Sequence, residues 1–331
     1  MDRQERQADS DEAVARGESR VRIGVIYNPR SHRNRGQDLA CAEADGVLVA
    51  QPRTKPEIAE ALADFARKGV TYLIINGGDG TVRDVLSAAE PVFGDAMPEL
   101  AVLPKGKTNA LNVDLGAPAD WTLSDAISAF ATGRRVVRRP VDVRPTTGGP
   151  TLLRGFVFGG GAFALGVRAG QDAHRIGFFN SLAVGVTSVW GVLQALFGRD
   201  SNPWRRGVQT DIRLQPGNLA LPHSEHGDPA RRVVVLATTL QKLPLGIKPF
   251  GKERGGLKLM AIDRPRRRLV GLLPLIVAGW HPRWLAKAGY HVADAEGFDI
   301  TIGDQFILDG EAFPAGSYRA TQGPELTFVT A

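Results

Sequence analysis

The sequence predicts an α/β plus β protein, with an N-terminal parallel α/β domain followed by a mostly antiparallel β-sandwich-like domain. Three observations predict it. Residues 21 to about 130 alternate short apolar runs with stretches of helical periodicity, the pattern of a parallel sheet covered by helices, whose ligand site lies at the carboxyl ends of its strands. From residue 134 onward, β-branched runs separated by turns replace that alternation, as antiparallel pairing requires. The stretch INGGDGTVRDVL (75–86) joins a buried-strand pattern to a helical one through three glycines and an aspartate. The chain is therefore divided into a loose tail (1–20), an α/β nucleotide-binding domain (21–133) and a β-rich domain with helical insertions (134–331).

The tail, MDRQERQADSDEAVARGESR, is nearly all polar and lacks both apolar periodicity and the apolar core of a signal peptide. The elements that follow are RIGVIYNP (strand), a basic loop with Arg30, Arg33 and Arg35, helix 37–45, VLVAQP (strand), helix 55–68, VTYLII (strand), the glycine loop, helix 82–90, ELAVLP (strand) and helix 108–115. Thr54-Lys55-Pro56-Glu57 fixes one boundary as a capping box with proline in the first turn.

VTYLII is continuously apolar, as a strand buried on both faces is. After it, Val82, Val85, Leu86 and Ala89 recur at helical spacing, with Thr81 placed to cap the first turn. Gly77, Gly78 and Gly80 tolerate positive φ, so consecutive backbone N–H groups can point into one concavity at the positive end of the helix dipole. Such a place binds phosphate. Asp79 would repel a bare phosphate unless Mg²⁺ or a proton mediated between them. A plain ligand-free turn is the alternative, and three glycines around a carboxylate argue against it.

In the second half, RRVVRRPVDVRP, LLRGFVFG, VQTDIRLQ, RRVVVLATT, LKLMAI, FDITIG, FILDGE and ELTFVT read as strands, interrupted by helical stretches at 162–198 and 268–288. The apolar runs at 182–197 and 269–280 fall short of the ~20 residues a membrane-spanning helix needs, and both read as core helices. QPGNLALPHSEHGDPA (215–230) reads as a surface loop.

With 331 residues, 43% of them hydrophobic and 23% charged, the chain is long enough for two cored domains. Cys41 is its only cysteine, which excludes an intramolecular disulfide or a cysteine-based zinc site and suits the cytoplasm. A net charge of +6 favours anionic partners. Nucleic acid is not among the expected ones, because no nucleic-acid module signature is present. Gly106-Lys107-Thr108 mimics the end of a Walker A loop, but the first glycine of that motif would fall on Ala101, within a strand.

Four features together resemble the diacylglycerol kinase catalytic-domain family of bacterial lipid kinases, sphingosine kinases and ceramide kinases. They are Gly77-Gly78-Asp79-Gly80-Thr81 after a buried strand, Asn28-Pro29 ending the first strand, a Pro-x-Gly-x-x-Asn loop at 104–109, and Asp309-Gly310-Glu311 near the C-terminus. The order holds over residues 21–331. The resemblance implies a phosphofructokinase/NAD-kinase-like first domain, with ATP in a cleft against the β-rich domain.

By position it implies that Asn28, Thr54, Gly77, Gly78, Asp79, Gly80, Thr81, Arg83, Gly106, Lys107 and Asn109 bind nucleotide. It makes Asp79 the Mg²⁺ ligand, Glu311 the catalytic base and Asp309 its helper. Lys107 stands where the family has threonine, and Gly255-Gly256-Leu257-Lys258-Leu259 replaces the family's second, structural Mg²⁺ motif, so no metal is expected there. The implied reaction is ATP-dependent phosphorylation of a diacylglycerol- or ceramide-type lipid by a cytoplasmic protein peripheral at the inner face of the membrane. Arg264, Arg266, Arg267 and Arg268 before LVGLLPLIVAGW, and Arg283, Trp284 and Lys287 after it, offer a basic rim to anionic headgroups. Two other readings stay open: an NAD-kinase-like enzyme acting on a soluble substrate, and a non-catalytic nucleotide-binding protein at the membrane.

Overall fold

The computed structural model describes residues 22–31, 34, 46–147, 151–175, 202–251 and 255–331. The expected tail, helix 37–45, Arg33, Arg35, Cys41 and the apolar run 182–197 lie outside these residues.

The first sheet contains β1 (Ile23–Tyr27), β2 (Leu48–Ala50), β3 (Tyr72–Gly77), β4 (Glu99–Pro104), β5 (Arg134–Arg138) and β19 (Leu326–Thr330), in the order β2-β1-β3-β4-β19-β5. Strands β1 to β4 are mutually parallel. Alternation along β3 explains why VTYLII is apolar throughout. Leu73 and Ile75 pack with Leu62 and Phe65 of α1 (Lys55–Arg67) and Val82 and Leu86 of α2 (Asp79–Phe93), while Tyr72 and Ile74 face Leu123 and Ala126 of α4 (Leu123–Thr132). Helices thus cover both faces. Between β4 and α4 lies the short α3 (Ala110–Leu115).

Two strands that the sequence groups with the β-rich region join this sheet. β19 pairs parallel with β4, and β5 pairs antiparallel with β19. The chain leaves the α/β layer at residue 138 and returns to it at its last strand. Local pattern cannot reveal this, because a strand's periodicity does not name its sheet.

The other two sheets face each other as a sandwich. One holds β6 (Val141–Pro145), β7 (Leu153–Gly155), β9 (Val208–Gln215), β10 (Leu219–Ala220), β15 (Gly297–Ile302) and β18 (Gly316–Gln322), with β11 (Arg231–Arg232) paired to β9. The second holds β8 (Val157–Gly161), β12 (Val234–Thr238), β13 (Leu257–Ile262), β14 (Tyr290–Ala295), β16 (Phe306–Leu308) and β17 (Glu311–Phe313). Phe158, Phe298 and Phe306 are fully buried in a shared core with Val141, Ile212, Val235 and Leu259. Strands β14 and β18 are not marked in the sequence, because His291, Asp294 and Arg319 interrupt their apolar alternation.

Among the described residues, three further helices decorate this layer: α5 (Ala162–Arg175), α6 (Pro203–Arg206) and α7 (Arg267–Val277). α7 ends earlier than the 268–288 expectation, and its continuation bends through Gly279 at φ 105°.

Candidate active site

The glycine loop ends β3, the central parallel strand, and opens directly into α2. Gly78 is the N-cap, so Asp79, Gly80 and Thr81 form the first helical turn. Thr81 therefore does not cap. Its N–H bonds Gly78 O at 2.8 Å and its hydroxyl accepts from Asn28 Nδ2 at 2.8 Å.

The glycines also serve a different purpose from the expected one, since none of the three has positive φ. A β-carbon on Gly77 would lie 2.5 Å from Thr81 Cβ, and one on Gly78 would lie 2.7 Å from Gly106 Cα. The glycine loop and the 104–109 loop thus pack backbone against backbone. Asn109 holds the second loop closed, accepting from Gly106 N–H at 2.8 Å and donating to Gly106 O at 3.1 Å from a left-handed φ of 50°. Lys107 lies on the same loop, exposed.

Asp79 lies by the start of α3, where the backbone N–H groups of Leu111, Ala110 and Asn109 favour its charged form. Burial outweighs them and pushes its pKa up.

The β domain brings Asp309-Gly310-Glu311 to the same place. Leu308 pairs with Glu311, and Asp309 and Gly310 form the two-residue loop with φ of 44° and 84°, the positive pair that a tight hairpin demands. Asp309 accepts from Phe156 N and Val157 N at 2.9 Å each. Burial, and after it the charge of Asp79, pushes its pKa up to about 7.

Arg83 spans the two domains. Its guanidinium donates to Asp84 at 2.8 Å, to Leu308 O at 3.0 Å and to Glu311, and Phe313 covers it at 5.7 Å. With its side chain only 4% exposed, Arg83 sits within the junction, bonded to Asp84, which lines the neighbouring cleft. Lys55 completes the cluster, 3.0 Å from Glu311 and 3.6 Å from Asp84. Neither Lys55 nor Asp84 stands out in the sequence, since Lys55 meets Asp84 from a different helix and Glu311 from 256 positions away.

Beside this cluster opens a cleft of about 270 Å³ lined by Asn28, Arg30, Thr54, Lys55, Thr81 and Asp84. Thr54 caps α1 by accepting from Glu57 N–H, while the Glu57 carboxylate accepts from the Thr54 hydroxyl at 3.0 Å and from Arg53 N–H at 2.7 Å, not from Thr54 N–H. At the strand end Asn76 is fully buried, and neither end of its side-chain amide meets a partner among the described residues. An orphaned buried amide of this kind is costly and calls for a partner such as an ordered water or ion.

A parallel sheet with a glycine loop at its carboxyl edge thus faces a carboxylate hairpin from a β-sandwich. Residues 22–143 match the model of the diacylglycerol kinase catalytic domain, in line with the resemblance that the motifs carry. Over 134 residues the chain is 31% identical to a diacylglycerol kinase of Bacillus subtilis (strain 168), and over 79 residues 34% identical to the probable lipid kinase YegS of Shigella flexneri. These matches span 38% and 23% of this chain and 42% and 26% of those proteins. A crystal structure of a putative diacylglycerol kinase from Bacillus anthracis str. Sterne superposes with a TM-score of 0.62 at 14% identity, covering 94% of this chain and 97% of that one. The α/β plus β architecture is that fold.

Proposed function

We propose that this protein is an ATP-dependent lipid kinase that transfers the γ-phosphate to the primary hydroxyl of a diacylglycerol- or ceramide-type lipid. The observation that carries this reading is the meeting of the glycine loop with the Asp309-Gly310-Glu311 hairpin across the domain junction. Phosphoryl transfer asks a protein mainly for positioning and for neutralisation of spreading negative charge. In this reading Gly77, Gly78, Gly80 and Thr81 receive the phosphates, Asn28 and Thr54 the nucleoside side, and Lys107 adds a cation to the phosphates from the adjoining loop. A raised KM for ATP in Lys107→Ala is the check on that last role.

Asp79 and Asp309 suit Mg²⁺. Both are hard oxygen donors with raised pKa values, a cost that a divalent cation would relieve, and Mg²⁺ commonly takes one or two carboxylates and fills its other positions with phosphate and water. Bound there, Mg²⁺ would neutralise phosphate charge. Glu311 receives the acceptor proton, and Lys55 and Arg83 hold its carboxylate at the cleft until then. The acceptor would be presented from a membrane surface. No helix among the described residues is long and apolar enough to cross a membrane.

Labelled ATP offered with diacylglycerol, ceramide, sphingosine, monoacylglycerol and NAD tests the reading. Label in a phosphorylated diacylglycerol or ceramide is expected. Label in NAD alone would transfer the protein to the soluble-substrate class.

A further inference from the structure

Eight large hydrophobic side chains are exposed among the described residues, and five of them fall on two neighbouring segments: Leu245, Ile247, Leu275, Trp280 and Trp284. The segments are tied together. Lys248 N–H donates to Val277 O at 2.6 Å, Trp280 N–H donates to Leu275 O at 3.0 Å, and the two tryptophan rings meet edge to face at 5.7 Å. Beneath them Leu243 and Phe250 pack with Ile276 and Leu285, so the loop is anchored to the core.

Leu245 is 99% exposed and sits at φ 59°, ψ 11°, a left-handed conformation that leucine seldom adopts. The fold holds an apolar side chain out in solvent from a strained turn. Such outliers persist where the surroundings impose them, and they are found at ligand clamps and other functional positions.

Charge along this stretch of the sequence is of one sign. Residues 264–289 contain six Lys and Arg and no Asp or Glu, as many positive charges as the net charge of the whole chain. Exposed Arg266, Arg267 and Arg268 begin α7, Arg283 and Lys287 follow its end, and Lys242 and Lys248 flank Leu245. A tryptophan pair, a protruding leucine and surrounding cations are the composition of a bilayer interface, in which indole rings sit at headgroup level and each nearby cation adds attraction to anionic lipid. A second copy of the chain would bring the same positive field and be repelled. Leu243 and Ile247 also line a cavity of about 210 Å³ with Leu240, Phe250, Lys242, Lys248 and Lys258, a lining both apolar and cationic.

We propose that loop 243–248 and the C-terminal end of α7 form a docking surface for an anionic phospholipid bilayer, with Leu245 as its inserted tip. The proposal rests on the lipid-kinase reading above and gives it a direction of approach.

Full-length protein, Leu245→Asp, and Arg267→Glu with Arg268→Glu are sedimented with vesicles of phosphatidylglycerol and phosphatidylcholine or of phosphatidylcholine alone. Aspartate suits the left-handed turn, so that variant should fold, which circular dichroism checks. Wild type should bind the anionic vesicles, lose binding as salt rises, and shift its tryptophan emission to the blue. Leu245→Asp should bind about tenfold less or worse, and the arginine variant should lose the preference for anionic lipid.

Equal vesicle binding by wild type and Leu245→Asp would overturn the proposal. So would a wild-type dimer that Leu245→Asp dissolves, or tighter binding to duplex DNA than to vesicles. Transfer to a short-chain diacylglycerol below its aggregation threshold is measured alongside. Leu245→Asp should retain it, and a wild type that docks without transferring would count against the kinase reading alone.

Discussion

Gly77, Gly78 and Gly80 occupy one turn, yet a β-carbon would meet different surroundings at each. At Gly77 it meets Thr81 and at Gly78 the backbone of Gly106, while at Gly80 it meets only the end of Arg83 at 3.7 Å, an ordinary contact. Gly78→Ala should therefore cost about 2 kcal/mol or more through overpacking against immovable backbone. Gly80→Ala should leave the melting temperature nearly unchanged and weaken ATP binding, because in the proposed site it is the ligand that needs the space. Thermal unfolding and nucleotide titration of the two variants check this contrast, and equal destabilisation by both would remove it. The three glycines and Asp79 could be read from the sequence as a site, but the reason for each could not. Sequence spacing allows positive φ, whereas the actual constraint at Gly78 is a loop 28 positions away.

At the scale of elements, α2 supplies Arg83 to the β16–β17 hairpin, and the hairpin returns Glu311 to α2 and α1. The bonds of Arg83 to Leu308 O, Asp84 and Glu311 join the two domains through one buried side chain. Arg83→Leu would take the guanidinium from Leu308 O and leave Asp84 and Glu311 with Lys55 alone, at a cost of about 2 kcal/mol or more. A lower denaturation midpoint, together with easier proteolysis at the domain junction, is the expected result. An unchanged midpoint would mean that the junction rests on packing alone. The hairpin was legible as Asp-Gly, and its position at the cleft as a resemblance. The Lys55–Glu311–Arg83 cluster was not legible, because ion pairs between elements leave no periodicity in the chain.

Over the whole molecule, the return of β19 to the first sheet between β4 and β5 makes the α/β layer depend on the last residues of the chain. The strand–helix alternation of the first layer was readable because both periodicities are local. The closing strand was not, because parallel pairing with β4 is a contact at a distance. The folded protein also brings Asp79 and Asp309 near each other, and this sets a pH dependence. The folded pKa of Asp309, about 7, lies above its ordinary 3.8, so the folded state binds that proton more tightly than the unfolded chain does. Its contribution favours folding at low pH and is lost as pH rises from about 4 through about 7, on the order of 2 kcal/mol after solvent screening. Asp309→Asn should flatten that slope in denaturant titrations across the window, and millimolar Mg²⁺ should flatten it in the wild type if the two carboxylates hold the ion. A slope unaltered by the substitution would place the proton elsewhere. The central claim, that a carboxylate hairpin from the β domain receives a lipid hydroxyl proton while the α/β domain holds ATP, is tested most directly by Glu311→Gln. Label transfer from ATP into vesicle diacylglycerol and ceramide, and ATP affinity, are measured for the variant and the wild type. The account predicts transfer by the wild type, a loss on the order of 10²–10⁴-fold in the variant and ATP affinity within a few-fold; transfer by the variant at close to the wild-type rate would contradict it.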